Sequence, residues 1–260
     1  LPNDFFSRIS EQLPIYIFAI YFSQSIIGFY ALGLRLLTMP ISLIGGAIGD
    51  VFFQEASNDK NNISYILEKI FYYLVLFATP VFLFIGILGE EIFYYILGNQ
   101  WGEAGIFSQI LSFYLFSKFI TIPVSYLMII HEKQEYSLFL NLALIVLGSI
   151  SLVIGGVMDD VYISLILFSI LNSIIILTYG IGFMKYSGVK ITRILKILTS
   201  SLIKNLPLVF VLIFFKIINN DTSYLTLIIC IFAFIVNIFI LILSNNESKN
   251  FVFNLINKKS

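Results

Sequence analysis

Residues 26–56 form a long apolar stretch, IIGFYALGLRLLTMPISLIGGAIGDVFFQEA, in which Arg35 is the only basic residue. A helix needs about 20 mostly apolar residues to cross the hydrocarbon core of a bilayer, so this stretch predicts a membrane-spanning helix. Arg35 would lie roughly 15 Å from the outer end of that helix, near the middle of the bilayer. A charge at that depth costs at least ~2.5–3.5 kcal/mol, and such residues usually face an internal cavity or pathway.

The composition of the whole chain is typical of an all-α, polytopic membrane protein. Of its 260 residues, 59% are hydrophobic and 12% are charged, about half the charged fraction of soluble domains. The chain begins with Leu1 and shows no signal peptide, so we expect it to be the downstream part of a longer protein. Its single cysteine, Cys230, excludes a disulfide framework and a cysteine-based metal site.

Apolar runs separated by turn residues predict about eight transmembrane helices. Their approximate bounds are 4–23, 25–54, 63–88, 104–130, 136–157, 161–184, 199–218 and 223–243. We expect Pro80 to break the third helix, because proline removes a helical hydrogen bond. A short amphipathic segment at 90–97 should follow it, and a basic connector at 185–196 should precede the seventh helix.

The positive-inside rule orients these helices. If the amino-terminal end faces the cytoplasm, twelve of the 15 basic residues lie in inner loops or at inner helix ends. The other three are Lys216, at an outer helix end, and Arg35 and Lys118, within spans. The outer loops carry six acidic residues: Glu90, Glu91, Glu103, Asp159, Asp160 and Asp221. We therefore expect both ends of the chain in the cytoplasm.

Arg35 and Lys118 are the two cations predicted deep in the bilayer, and no acidic residue is expected at their depth. Two unpaired cations predict a hydrated cavity that receives an anion. The alternative is pairing with helix carbonyls, or with acids outside this chain. Arg8, Glu11 and Gln12 share one face of the first span, where they either line the same cavity or form an Arg8–Glu11 pair at the membrane interface.

Several classes of function are excluded by residues that the chain lacks. His131 is the only histidine, so no histidine metal site can be assembled, and no phosphate-binding glycine loop occurs. Basic and aromatic residues do not cluster outside the spans, so we expect no nucleic-acid partner. These observations favour a transporter that is not an enzyme and uses no metal or cofactor. Pro40 and the glycines at 45, 46 and 49 would let the second helix bend during transport.

The run GFYALGLRLLTMPISLIGGAIGDVFFQEAS at 28–57 resembles the signature of bacterial polysaccharide flippases, a branch of the multidrug/oligosaccharidyl-lipid/polysaccharide export superfamily. Further matches are LGNQWGEAG at 97–105 and PVSYLMIIHEKQ at 123–134. A related arrangement recurs in the lipid II flippase branch, so the Arg-Leu pairing alone does not separate the branches. By position, Arg35 is the arginine of the motif, whereas Lys118 is assigned from its depth.

The resemblance implies two six-helix lobes that form a V around a cationic cavity, commonly followed by two further helices. On that pattern, residues 1–186 are the second lobe, 187–198 a basic cytoplasmic connector, 199–244 the terminal helix pair and 245–260 a cytoplasmic tail. The first lobe would belong to the same, longer chain and would be needed for transport.

The resemblance also implies a function at the bacterial inner membrane. Such proteins move a polyprenyl-diphosphate-linked oligosaccharide across the membrane by alternating access, for assembly of lipopolysaccharide O-antigen, capsule or exopolysaccharide. The partners would be this lipid-linked substrate, membrane lipids and the polysaccharide polymerase machinery.

Three other functions remain open from the sequence. A multidrug antiporter of the same superfamily would need carboxylates within the membrane, where this chain shows cations. A membrane-embedded ligase or glycosyltransferase that uses lipid-linked sugars would be expected to carry a large outer loop, and the outer loops here are short. The third alternative is a scaffold that transports nothing.

Overall fold

The computed structural model describes residues 2–58, 62–218 and 224–243, and these form helices joined by short turns. The helices are α1 (Pro2–Tyr21), α2 (Gln24–Asn58), α3 (Ile63–Leu97), α4 (Gly102–Ile120), α5 (Ile122–Ile130), α6 (Gln134–Val157), α7 (Val161–Tyr186), α8 (Ile191–Ile218) and α9 (Tyr224–Leu243). A single 3₁₀ turn, Asn99–Trp101, joins α3 to α4. The expected all-α fold is confirmed. Lys60, Asp221 and the expected tail at 245–260 lie outside the described residues.

Five segments of the described chain are long and apolar enough to cross a membrane: α3, α4–α5, α6, α7 and α8. Each offers more than the roughly 20 residues that a bilayer crossing requires. The chain is therefore a multi-pass membrane protein. Because α5 continues the path of α4 after a one-residue break, the nine helices correspond to the eight predicted spans.

Two prolines have opposite effects on their helices. Pro123 lies in the first turn of α5, where a missing N–H costs nothing, and the chain breaks just before it at Thr121. Pro80, by contrast, lies inside α3 without breaking it, so the predicted break there is wrong. The Thr79 hydroxyl, next to the proline, donates to the Val75 carbonyl at 2.6 Å, whereas the carbonyl that Pro80 leaves without a helical N–H donor is that of Leu76.

The irregularity of α3 lies at Leu88, whose φ of −115° and ψ of 16° depart from helical values. The amphipathic segment predicted at 90–97 follows it and continues α3 to Leu97. Close to this point, Gly89 and Gly105 bring α3 and α4 into backbone contact: a Cβ added at Gly105 would lie 2.6 Å from the Cα of Glu90. Such close approach is typical of glycine at membrane helix interfaces.

Side-chain contacts give the relative direction of the helices. Gly33 packs against Ser108, and Gly45 against Ile122, so α2 runs parallel to α4–α5. Leu13 and Tyr21 of α1 pack against glycines 148 and 156 of α6 in the same order, so these two helices are also parallel. Both parallel pairs agree with the prediction that successive spans alternate in direction.

The buried residues form two hydrophobic clusters. The larger one contains residues from every helix from α1 through α7, and it extends to the start of α8. The smaller one attaches α8 and α9 to α3 through Phe84, Leu88, Leu208, Leu212 and Cys230. The division into a six-helix lobe and a terminal pair agrees with these clusters but stays a prediction. Within the predicted connector at 187–198, the helix α8 already begins at Ile191.

Candidate functional site: a charged face on α1, α2 and α4

Glu11 and Lys118 form an ion pair within the bundle. The Lys118 ammonium of α4 donates to the Glu11 carboxylate of α1 at 2.7 Å, and the side chains are 39% and 51% exposed respectively. The prediction that Lys118 has no carboxylate partner in this chain is therefore wrong. Glu11 does not pair with Arg8, since no such contact occurs among the described residues.

The depth of Glu11 explains why the sequence reasoning missed this pair. From the sequence we expect no acidic residue at the depth of Lys118, and Glu11 either lines the cavity or pairs with Arg8 at the membrane interface. In the structure α1 begins at Pro2 and packs in register with α6, so that Glu11 lies level with about Val146, halfway along α6. Counting residues from the helix start, rather than from the first apolar run, would have placed Glu11 in mid-span.

Two buried tyrosines lie beside the ion pair. Tyr30 of α2 interacts electrostatically with Glu11, and Tyr114 of α4 does so with Lys118. Tyr30 is 1% exposed and its ring packs edge-on against Phe18 at 5.3 Å between centroids. Burial fixes both phenol groups in place, so the pair has a polar wall on its inner side. The sequence carried no signal for either tyrosine, because aromatic residues are frequent throughout this chain.

Arg35 lies on the exposed side of α2, and its guanidinium makes no ion pair within the side chains that the structure describes. Since α2 and α4 run parallel and Gly45 packs on Ile122, Lys118 lies level with about residue 41 of α2. Arg35 and Lys118 are therefore separated by roughly 10 Å along the helix axis. This distance suits two cations that bind neighbouring groups of one elongated anion.

The exposed side chains of α1 continue this charged face. Arg8, Glu11 and Gln12 are all exposed, as is Tyr16 one turn further along. The surface of α6 differs sharply, because every exposed residue of α6 between Phe139 and Val157 is apolar. An apolar surface suits contact with lipid tails, whereas charged groups in mid-span require water, protein or an anion. We call the exposed residues Arg8, Glu11, Gln12 and Arg35, together with the half-buried Lys118, the charged face.

The glycines that were predicted to act as a hinge have different surroundings. Gly45 and Gly49 are buried against Ile122 and Tyr126 of α5, so they permit close helix packing. Gly46 has no neighbour within 4 Å of the position that a Cβ would take. Helix α2 continues through Pro40, whose side chain lies outside the described ones. The hinge role of Pro40, Gly45, Gly46 and Gly49 stays a prediction.

The part of the chain that holds most of the charged face matches a known protein family. Residues 2–105, which hold Glu11, Arg35 and most of the quoted motifs, match the model of a family described as "Polysaccharide biosynthesis protein". Over that part, which is less than half of the chain, the resemblance to polysaccharide biosynthesis proteins is confirmed. It rests on that matched part of the chain, which ends early in α4. A comparison with curated proteins gives no significant match.

The fold is similar to that of a solved structure, the lipid II flippase MurJ in an inward closed conformation. The TM-score is 0.73 and the sequence identity is 19% over 96% of this chain, so the likeness concerns the fold. The chain spans about half the length of that protein, covering 52% of it.

Proposed function

We propose that this chain forms one lobe of a transporter that moves a polyprenyl-diphosphate-linked oligosaccharide across the bacterial inner membrane for surface polysaccharide assembly. The charged face carries this proposal, because three cations and two other polar groups lie on three neighbouring helices, whereas the exposed residues of α6 between Phe139 and Val157 are apolar. The match to a polysaccharide biosynthesis family and the fold likeness to a lipid-linked-substrate flippase support it.

The mechanism follows from the cost of moving a diphosphate through hydrocarbon. An unpaired phosphate charge is strongly disfavoured there, so cations must replace its hydration. Arg35 has no ion-pair partner among the described residues and can bind phosphate oxygens through two parallel N–H groups. The polyprenyl tail would remain in the bilayer while the head group passes along the charged face.

Glu11 competes with the diphosphate of the substrate for Lys118. A diphosphate can take Lys118 only by displacing the carboxylate that holds it at 2.7 Å in this state. The pair would therefore keep Lys118 neutralised between transport events and lower the cost of an empty site. Arg35 would then make the first contact with the substrate, and Lys118 the second.

A second wall is required to enclose a head group, since the charged face lies on the outside of this chain. We propose that another lobe of similar size covers it, consistent with the 52% of the MurJ chain that this chain spans. The end of the bundle that carries the α7–α8 connection, with Lys185, Lys190, Arg193 and Lys196, would face the cytoplasm. The polysaccharide polymerase machinery would receive the product on the other side.

Complementation tests the proposal. In a strain that lacks the protein, the Arg35→Ala variant should restore little surface polysaccharide, Arg35→Lys should restore part of it, and Lys133→Ala in the α5–α6 turn should restore all of it. Protein levels in the membrane are matched by immunoblot. Full export by Arg35→Ala at a matched level would contradict the proposed role of the charged face.

The structure also favours a second candidate, a multidrug antiporter. The sequence argument against it was the lack of a carboxylate in the membrane, and Glu11 now supplies one at mid-span. The two functions separate in the same strain. An antiporter would lower susceptibility to cationic drugs in a manner that Glu11→Gln abolishes, while the lipid-linked transporter would restore polysaccharide and leave drug susceptibility unchanged.

A further inference from the structure

A narrow crevice lies between α3 and α8, away from the charged face. Its empty space, which is open to the outside, is about 180 Å³, and it is lined by Tyr72, Val75, Leu76, Ile197, Ser200, Ser201 and Lys204. Its floor is a polar contact between the helices, in which the Ser201 hydroxyl donates to the Thr79 hydroxyl at 2.8 Å. The crevice therefore combines an apolar wall with hydroxyl groups and one cation, a composition suited to an amphiphile.

Basic residues run along the same side of α8. Arg193, Lys196, Ser200 and Lys204 follow one another at spacings of three or four residues, which places them on one helix face. Glu68 of α3 is the carboxylate beside this row, and it is occupied by Arg193. Among the described residues, neither Lys196 nor Lys204 has a carboxylate within ion-pair distance. Two exposed lysines thus flank Ser200 without an internal counter-charge.

The length of α8 places this row at the membrane surface. Its 28 residues span about 42 Å, whereas the hydrocarbon core is about 30 Å thick. Roughly two turns must therefore extend into the head-group region, and the basic first turns of α8 are the polar end of that helix. Lys196 would lie among the head groups, and Lys204 would lie deeper, with its ammonium reaching back towards them.

We propose that the crevice between α3 and α8 binds an anionic phospholipid of the leaflet that the α7–α8 connection faces. Its phosphate is held by the ammonium groups of Lys196 and Lys204 and by the Ser200 hydroxyl. The upper part of one acyl chain lies against Leu76 and Ile197. Such a lipid supplies the counter-charge that the row lacks and seals the junction between the terminal helices and α3. The site is independent of the proposed transport function.

Native mass spectrometry tests whether the site binds an anionic phospholipid. The protein is purified in the form that the cell makes. Phosphatidylglycerol and phosphatidylcholine are titrated separately, and the dissociation constants of the first bound lipid are compared. The double variant Lys196→Gln/Lys204→Gln should weaken phosphatidylglycerol binding by about tenfold, since each lysine near a membrane contributes up to about fivefold. Binding of phosphatidylcholine should change little. The variant Lys196→Arg/Lys204→Arg should retain the preference.

A matched control separates a site from general attraction of charge. The double variant Lys133→Gln/Lys185→Gln removes two positive charges from the same end of the bundle, outside both the crevice lining and the basic row of α8, and should keep the preference for phosphatidylglycerol. Equal weakening by both double variants would overturn the proposal. Displacement of the bound lipid by millimolar inorganic phosphate would also overturn it, because the site would then recognise a free anion rather than a phospholipid.

Discussion

At the scale of single residues, Glu11 and Lys118 determine how the charged face behaves when no substrate is bound. Each neutralises the other, while Arg35 makes no ion pair among the described side chains. Where water reaches the charged face, a partly exposed ion pair of this kind contributes about 0–1 kcal/mol to stability. Its main effect is therefore expected on binding rather than on folding.

The Glu11→Gln variant tests whether the ion pair affects substrate binding more than it affects stability. The substitution should lower the melting temperature by no more than a few degrees, and it should raise the affinity for a polyprenyl diphosphate several-fold, because Lys118 no longer has a competing carboxylate. Both quantities are measured on the purified protein, with Glu135→Gln in the first turn of α6 as the control. Weaker binding in Glu11→Gln would show that Glu11 assists the substrate instead of competing with it.

Arg35 shows what could be predicted about single residues from the sequence, and Glu11 shows what could not. Arg35 stands out because it is the only basic residue of a long apolar stretch, and its exposed position on α2 agrees with the expectation. Glu11 lies in a half-polar helix whose position along the membrane normal depends on its packing against α6. Counting along α1 gives the approximate depth of Glu11, but it does not show which helix faces this residue, so the pairing with Lys118 could not be predicted.

At the scale of helices, close packing of α3 on α4 supports the rest of the bundle. Gly86, Gly89 and Gly105 all lie at this interface, where an added Cβ would meet Ser112 or the backbone of the facing helix. Backbone atoms cannot move aside as a flexible side chain can, so even one methyl group should force the helices apart.

Gly105→Ala should therefore destabilise the protein by about 1–3 kcal/mol, the usual cost of overpacking. The matched control is Gly182→Ala in α7, which is exposed and has open space around it. That variant should be neutral or slightly stabilising, since alanine favours a helix over glycine by up to about 1 kcal/mol. Thermal unfolding of both in the same detergent gives the comparison. Equal stability of the two variants would contradict the packing account.

Breaks within helices were only partly predictable. Pro123 lies just after the α4–α5 break, in the first turn of the helix that follows, which is a position that proline favours. Pro80 and Leu88 show the opposite case, in which α3 tolerates the proline and departs from helical geometry eight residues later. The approach of glycines 89 and 105 accompanies that departure, and such tertiary contact is not visible in a local sequence pattern.

At the scale of the whole molecule, alternation of the spans follows from both the sequence and the contacts. Because the turns between the long apolar runs are short, each helix must cross the bilayer in the direction opposite to that of the helix before it. The sorting of charge then gives an orientation, with the α7–α8 connection expected in the cytoplasm. The arrangement of α8 and α9 on α3 could not be predicted from hydropathy, since all three are similarly apolar.

Cysteine labelling tests the orientation. Cys230 is buried, and in a Cys230→Ser background a cysteine is introduced at Gln100 or at Lys133, which lie in turns at opposite ends of the bundle. A membrane-impermeant maleimide should label Gln100→Cys in intact cells, and it should label Lys133→Cys only after the membrane is opened. The reverse pattern would invert the proposed topology and place the phospholipid crevice in the outer leaflet.

For the most direct measurement of the central claim, the protein is purified in the form that the cell makes and is reconstituted into vesicles. The rate at which it moves a fluorescent polyprenyl-diphosphate sugar between the two leaflets is then measured. The double variant Arg35→Ala/Lys118→Ala is compared with Arg35→Lys/Lys118→Arg, which keeps both charges. Charged hydrogen bonds contribute roughly 1.5–3 kcal/mol each, so the account predicts at least a tenfold loss of rate in the first variant and a smaller loss in the second. An unchanged rate after removal of both charges would contradict the claim that the charged face carries the diphosphate.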